Sequence, residues 1–160
     1  MRILGVDPGL GTTGYGAIRT EGNCFSLIEG GVVSTRRQDP LEKKLLTLRR
    51  GFREVVQKCR PEVVILEDLY SHLQHPQTAI LMGHARGVLL SVCSEKKLPV
   101  VSFSAKRVKK AVVGNGSATK AQIQAMVKTL LHLKENFSCP ADVFDALALA
   151  MSYVYLRGKP

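Results

Sequence analysis

The stretch Ile3-Leu4-Gly5-Val6-Asp7-Pro8-Gly9-Leu10-Gly11-Thr12-Thr13-Gly14-Tyr15-Gly16-Ala17-Ile18-Arg19-Thr20 decides how this chain folds. Ile3 to Val6 is a short apolar run, and Asp7-Pro8-Gly9 stops it at a turn, so it reads as a buried strand with Asp7 at its end. Gly9-Leu10-Gly11-Thr12-Thr13-Gly14 matches the G-x-G-x-x-G spacing of dinucleotide-binding turns. That fingerprint requires a helix directly afterwards, because the helix N-terminus holds the pyrophosphate. Gly14 to Thr20 is instead glycine-rich and strand-like, so the glycines are read as turn residues between two strands. The phosphate loop of actin-like ATPases and sugar kinases also follows a first-strand Asp, but those proteins close a second lobe over ATP, for which 160 residues leave no room.

Outward from this hairpin, Cys24 to Ser34 is again strand-like after a tight Glu21-Gly22 connection, giving a meander of three antiparallel strands. Leu41, Leu45, Leu48, Phe52, Val55 and Cys59 then recur at steps of three and four, the stripe of an amphipathic helix that Pro61 ends. Val63-Val64-Ile65-Leu66 is a continuous apolar run closing on Glu67-Asp68, which suits a central strand buried on both faces. Pro76 opens a helix to about Ser94, with Ala79, Ile80, Gly83, Gly87, Leu90 and Val92 available for packing and the glycines permitting close approach of another backbone. Pro99-Val100-Val101 supplies a fifth strand. Helices follow from Ser104 to Val113, after a Thr119-x-x-Gln122 capping box, and from about Ala141 to Tyr155.

The composition limits the partners. There are 23 Lys and Arg against 13 Asp and Glu, a net charge of +10, which points to a polyanion. No uncharged apolar stretch approaches the roughly 18 residues of a membrane span, and Asp7 interrupts the first apolar run too early for a signal peptide, so a cytoplasmic protein with no membrane partner is expected. Cys24, Cys59, Cys93 and Cys139 form no C-x-x-C pair and are expected as buried thiols rather than zinc ligands. His72, His75, His84 and His132 lack metal-ligand spacing.

The chemistry-bearing constellation is acidic. Asp7 and Glu67 each end an apolar strand, and Asp142 and Asp145 stand three apart on one face at the start of the last helix. Singly, each has a plain structural explanation: a turn residue, a solvated strand end, or a complement to a helix N-terminus. Together, four carboxylates converging in a protein that binds a polyanion would repel one another and the ligand, so a divalent cation must compensate them. Oxygen-only donors suit Mg²⁺, with Mn²⁺ as substitute, and two such ions would activate water and stabilise the leaving oxygen of a phosphodiester. A second cluster is basic. Lys106, Arg107, Lys109 and Lys110 crowd one short helix, and Gly114-Asn115-Gly116-Ser117-Ala118-Thr119-Lys120 leads to the next helix N-terminus, where lysines and backbone N–H groups could grip phosphates. Tyr70, three residues after Glu67, could stack on a base or cover the core, and its place in a loop favours exposure.

These residues resemble the RuvC family of bacterial Holliday junction resolvases. The likeness rests on Ile3 to Gly9 with Thr13-Gly14-Tyr15-Gly16, on Val64-Ile65-Leu66-Glu67, on Gly83-His84-Ala85-Arg86-Gly87, on Val108-Lys109 with Val112 to Lys120, and on Ala141-Asp142-Val143-Phe144-Asp145-Ala146-Leu147-Ala148. It implies an α/β, RNase H-like (ribonuclease H/integrase-type) fold, a five-stranded mixed sheet flanked by helices, as one domain over residues 1–157 with a tail at 158–160. It implies a homodimer acting on four-way junction DNA in recombination and repair, with RuvA and RuvB as branch-migration partners and the helix around Gly83 and Gly87 near the dimer contact. Paired symmetric nicks by two-metal hydrolysis would leave 5′-phosphate and 3′-hydroxyl ends. Carried over by motif, Asp7, Glu67, Asp142 and Asp145 are the catalytic, metal-binding acids, and Lys109 and Lys120 act near DNA, with Arg107, Lys110 and Tyr70 as further DNA-binding candidates.

Two features depart from the family pattern. Tyr70 stands where family members often carry Phe, and Ser71-His72-Leu73-Gln74-His75-Pro76 fits poorly, which implies a different junction opening or cleavage-site preference. The middle residues of Asp142-Val143-Phe144-Asp145 are bulky, although the acid spacing is kept. The alternatives are an RNase H-like nuclease acting on RNA in a hybrid duplex, and a junction-binding module without catalysis.

Overall fold

The structure is a computed structural model that describes residues 1–69, 76–134 and 136–157. Its strands are β1 (Arg2–Asp7), β2 (Thr12–Glu21), β3 (Cys24–Ser34), β4 (Val63–Glu67) and β5 (Val100–Phe103), and its helices are α1 (Leu41–Cys59), α2 (Pro76–Glu95), α3 (Ala105–Val113), α4 (Lys120–Leu130) and α5 (Ala141–Leu156). They form one sheet in the order β3-β2-β1-β4-β5. β1 pairs antiparallel with β2, and β2 with β3, while β1–β4 and β4–β5 are parallel. The expected five-stranded mixed sheet flanked by helices is therefore present. The β2–β3 connection is Gly22-Asn23, one residue later than the sequence suggests, with Gly22 at φ +60°.

Period-two alternation assigns each strand residue to one face. Leu4, Val6, Val64 and Leu66 pack with Phe52 and Leu48 of α1 and Leu89 of α2, whereas Ile3, Ile18, Val63 and Ile65 pack against α5 and the helices beside it. Continuing the alternation puts Asp7 and Glu67 on the α5 face. That helix is buried almost all round, from Val143 through Val154, because it lies on the sheet with Val108 and Val112 of α3 and Ile123 and Val127 of α4 in the same core. Its apolar circumference is the signature of a helix with no solvent side.

Contact between α5 and the sheet requires bare strand positions. A Cβ at Gly5 would lie 1.9 Å from the Ala146 carbonyl oxygen, and one at Gly14 would lie 2.3 Å from that of Asp142. Backbone thus meets backbone at these two points. The expected close approach of another backbone at Gly83 and Gly87 of α2 is not found among the described residues, where Leu69 Cδ1, at 3.9 Å, is what nears a Cβ at Gly83 and nothing nears one at Gly87. The packing stripe of α2 also differs from expectation. Ala85, Leu89, Val92 and Cys93 are buried, whereas Ile80 is 60% and Leu90 38% exposed; the helix is apolar on both sides, so periodicity alone does not reveal which side meets the sheet.

One further expectation needs correction. Cys59 and Cys93 are buried free thiols as expected, but Cys24 is exposed at the start of edge strand β3 and Cys139 is half-buried. The glycine turn after β1 binds itself: Thr13 Oγ1 donates to the Gly9 carbonyl at 2.7 Å and Thr35 Oγ1 donates to that of Leu10 at 2.7 Å. A strand, β2, follows the turn, as the sequence indicates. Among the described residues no helix is long and apolar enough to cross a membrane.

Candidate active site

Strand register, close packing and helix geometry bring the acids together. Asp7 and Glu67 end neighbouring parallel strands whose register runs Val6 to Leu66, so both leave the sheet at one edge and on one face. Asp7 is paired across β1 and β2 with Gly14, the residue whose missing side chain admits the first turn of α5. Pro140 precedes that turn with φ −52°, and Asp142 and Asp145 follow at a separation of three. Carboxylate oxygens of Asp7, Asp142 and Asp145 all lie within 4.8 Å of one another, and each residue is half-buried. Glu67 stands within hydrogen-bonding reach of Asp7 but outside the group of three acids whose oxygens gather together.

The electrostatics state what the cluster lacks. Burial pushes the Asp7 carboxyl up to about 8 from an ordinary 3.8, with the Glu67 hydrogen bond and the charges of Glu67, Asp145 and Asp142 acting in the same direction. Such a group remains protonated at neutral pH unless a cation joins it. Lys120 is a partial answer, with Nζ 3.4 Å from Asp145 Oδ2; the Asp145 carboxylate raises its affinity for its proton. A single exposed ammonium does not offset the cluster. Three converging carboxylates with oxygen donors only, and a proton held against its ordinary tendency, fit one or more hard divalent cations.

Beside the acids is a cleft of about 230 Å³ lined by Asp7, Glu67, Asp145, Lys109 and Lys120. Acids and lysines thus share one opening, although Asp142 stands just outside its lining. Lys109 is half-buried on α3. Arg107 and Lys110 are exposed on the same helix but do not line the cleft, and the Arg107 guanidinium rests 5.3 Å from the Phe103 ring centre. The α4 N-terminus is less available to phosphate than the sequence suggests. Thr119 Oγ1 accepts from the Gln122 N–H and Gln122 Oε1 accepts from the Thr119 N–H, so these two donors are spent on the capping box. Phosphates there would meet lysine side chains. Tyr70 and the rest of the 71–75 segment lie outside the described residues, as do the tail residues 158–160.

Two elements of the site escape a reading of the sequence by motif. Gly5 and Gly14 look like ordinary turn or strand glycines until α5 is seen against them. Arg86, which no sequence pattern singles out by itself, reaches the Glu67 main chain. Their pairing with α5 and β4 is a property of tertiary contact.

The sequence matches the family described as crossover junction endodeoxyribonuclease RuvC over residues 3–153. It is 45% identical over 158 residues to the crossover junction endodeoxyribonuclease RuvC of Rhodopirellula baltica, covering 99% of this chain and 88% of that one. The fold superposes on the Thermus thermophilus RuvC structure with a TM-score of 0.88 and 32% identity, covering 98% and 95% of the two chains. The structure of T. thermophilus RuvC in complex with Holliday junction substrate also gives a TM-score of 0.88, at 31% identity over 98% and 94%.

Proposed function

The chain belongs to the RuvC family of crossover junction endodeoxyribonucleases, and from that premise we propose that it nicks four-way DNA junctions by metal-dependent phosphodiester hydrolysis at the Asp7 cluster. The observation that carries this reading is the meeting of Asp7, Asp142 and Asp145 within 4.8 Å in a chain of net charge +10. A basic protein gains nothing in stability from assembling repelling acids, so their convergence supports a cation site facing a polyanion.

Asp7, Asp142, Asp145 and Glu67 would hold two Mg²⁺ ions, or Mn²⁺ in their place. Bound there, such ions supply activation of water and stabilisation of the leaving oxygen. The protein's own residues set the geometry. The strand ends orient Asp7 and Glu67, and the N-terminal end of α5 brings Asp142 and Asp145 over them. Lys109 and Lys120, at the rim, hold the phosphates of the cut strand, with Arg107 and Lys110 extending the basic surface along α3. The cut leaves a 5′-phosphate and a 3′-hydroxyl.

Paired nicks need two sites, and the exposed Ile80, Leu81 and Leu90 on α2 favour a second copy of this chain as the partner of that face. RuvA and RuvB would act on the same junction, and Tyr70 would meet a base near its crossover.

The experiment is nicking of a synthetic four-way junction with and without Mg²⁺, by the wild type and by Asp7→Asn. Metal-dependent paired nicks by the wild type, with binding but no cleavage by Asp7→Asn, are expected. Equal cleavage by the two proteins would remove Asp7 from the chemistry, and preference for an RNA–DNA hybrid would change the substrate class.

A further inference from the structure

The block Gly83-His84-Ala85-Arg86-Gly87 contains a side chain that the proposed chemistry does not use. Arg86 projects from α2 and is only 16% exposed. Its Nη1 donates to the Glu67 carbonyl at 2.6 Å and its Nη2 donates to Ser102 Oγ, also at 2.6 Å. Asp68 Oδ1 lies 3.6 Å from the same Nη2. One guanidinium therefore grips the C-terminal ends of β4 and β5 at once, at the residue that carries an acid of the site.

We infer that Arg86 is a positioning residue for Glu67. Glu67 is the last residue of β4, and its carboxylate faces Asp7, with which it would repel if both were ionised. Fixing the carbonyl of Glu67 fixes its peptide plane, and hence the direction in which its side chain leaves the strand. The planar fork of Arg serves this because its two terminal nitrogens reach two acceptors in one fixed geometry, whereas a Lys ammonium on a flexible stem does not. Arg86 does not line the cleft, so it acts on the reaction only through Glu67. The inference rests on the reading of Glu67 as a member of the metal site.

The test is a double-mutant cycle on the full chain. Mn²⁺ affinity is measured by titration without DNA, together with kcat and KM for junction cleavage and the melting temperature. Arg86→Gln is expected to lower Mn²⁺ affinity and kcat by about tenfold or more, the usual scale for a residue that orients a metal ligand, with KM within about twofold. Arg86→Lys is expected to fall in the same direction, and it carries the comparison if Arg86→Gln does not fold. In the Glu67→Gln background the Arg86 substitution should add no further loss, since its effect travels through the missing carboxylate. Wild-type Mn²⁺ affinity in folded Arg86 variants, or losses that multiply in the double variant, would overturn the inference while leaving the site intact. Wild-type metal binding and cleavage by Glu67→Gln would overturn the underlying reading of the site and the inference with it.

Discussion

Asp7 and Gly14 face each other across β1 and β2, and the space that a Gly14 side chain would occupy is filled by the main chain of Asp142, whose carbonyl oxygen would lie 2.3 Å from a Cβ. An acid at one strand position and nothing at its partner lets the first turn of α5 settle directly over the sheet. The distance between Asp7 and the helix acids is thereby set by backbone packing, which has little room to adjust.

Gly14→Ala should therefore damage the site without touching an acid. The added methyl meets backbone, so α5 must shift, and overpacking of this kind costs about 1–3 kcal/mol. A lowered melting temperature and weaker Mn²⁺ binding are expected, with cleavage reduced even well below the melting transition. Wild-type cleavage in the cold would show that the helix tolerates the shift.

The metal-free protein should lose stability as pH rises. The Asp7 carboxyl is raised from 3.8 to about 8, so between those values the folded chain keeps a proton that the unfolded chain has released. The folded state then binds more protons, and stability falls with increasing pH across that window. Urea midpoints in chelator at pH about 5 and about 8.5 should differ in that sense, and Mg²⁺ should reduce the difference. Asp7→Asn should flatten it too; an unchanged slope in that variant would assign the effect elsewhere.

Lys120 is 71% exposed and only partly engaged by Asp145, which leaves it free to reach a phosphate. Lys120→Met should weaken junction binding and make the plot of log affinity against log salt shallower by about one counterion. Binding measured between low and moderate salt decides this, and an unaltered slope would exclude a phosphate contact.

The α2 face predicts a separable defect. Ile80 is 60% exposed, so Ile80→Glu should shift the melting temperature of the protomer by no more than about 2 °C, the effect of a surface change of about 0.5 kcal/mol. Sedimentation should nevertheless show a monomer where the wild type sediments as a pair. A stable pair in the variant would place the dimer contact elsewhere.

Much of the fold can be read from local pattern. The short apolar runs ending at Asp7 and Glu67, the stripe of α1, and the Thr119-Gln122 capping box each follow from rules acting over a few residues, and the structure realises all of them. The absence of a helix after Gly14 excluded a dinucleotide turn for the same reason. Asp142 and Asp145 were also legible as a pair, because helical spacing alone puts them on one face.

What tertiary structure decided is distance. Asp7 and Asp142 belong to opposite ends of the chain, and no periodicity states that they meet; the parallel register of β1 with β4 and the bare surface at Gly5 and Gly14 do so. The packing side of α2 was likewise open, since its apolar residues surround it, and only contact with the sheet separates buried Leu89 from exposed Ile80. Arg86 shows the same division: its charge is plain in the sequence, but its role depends on β4 and β5 ending side by side beneath it. Sequence determines which elements form, because those forces are local, whereas the assembly of a site depends on long-range packing among elements that carry no record of one another.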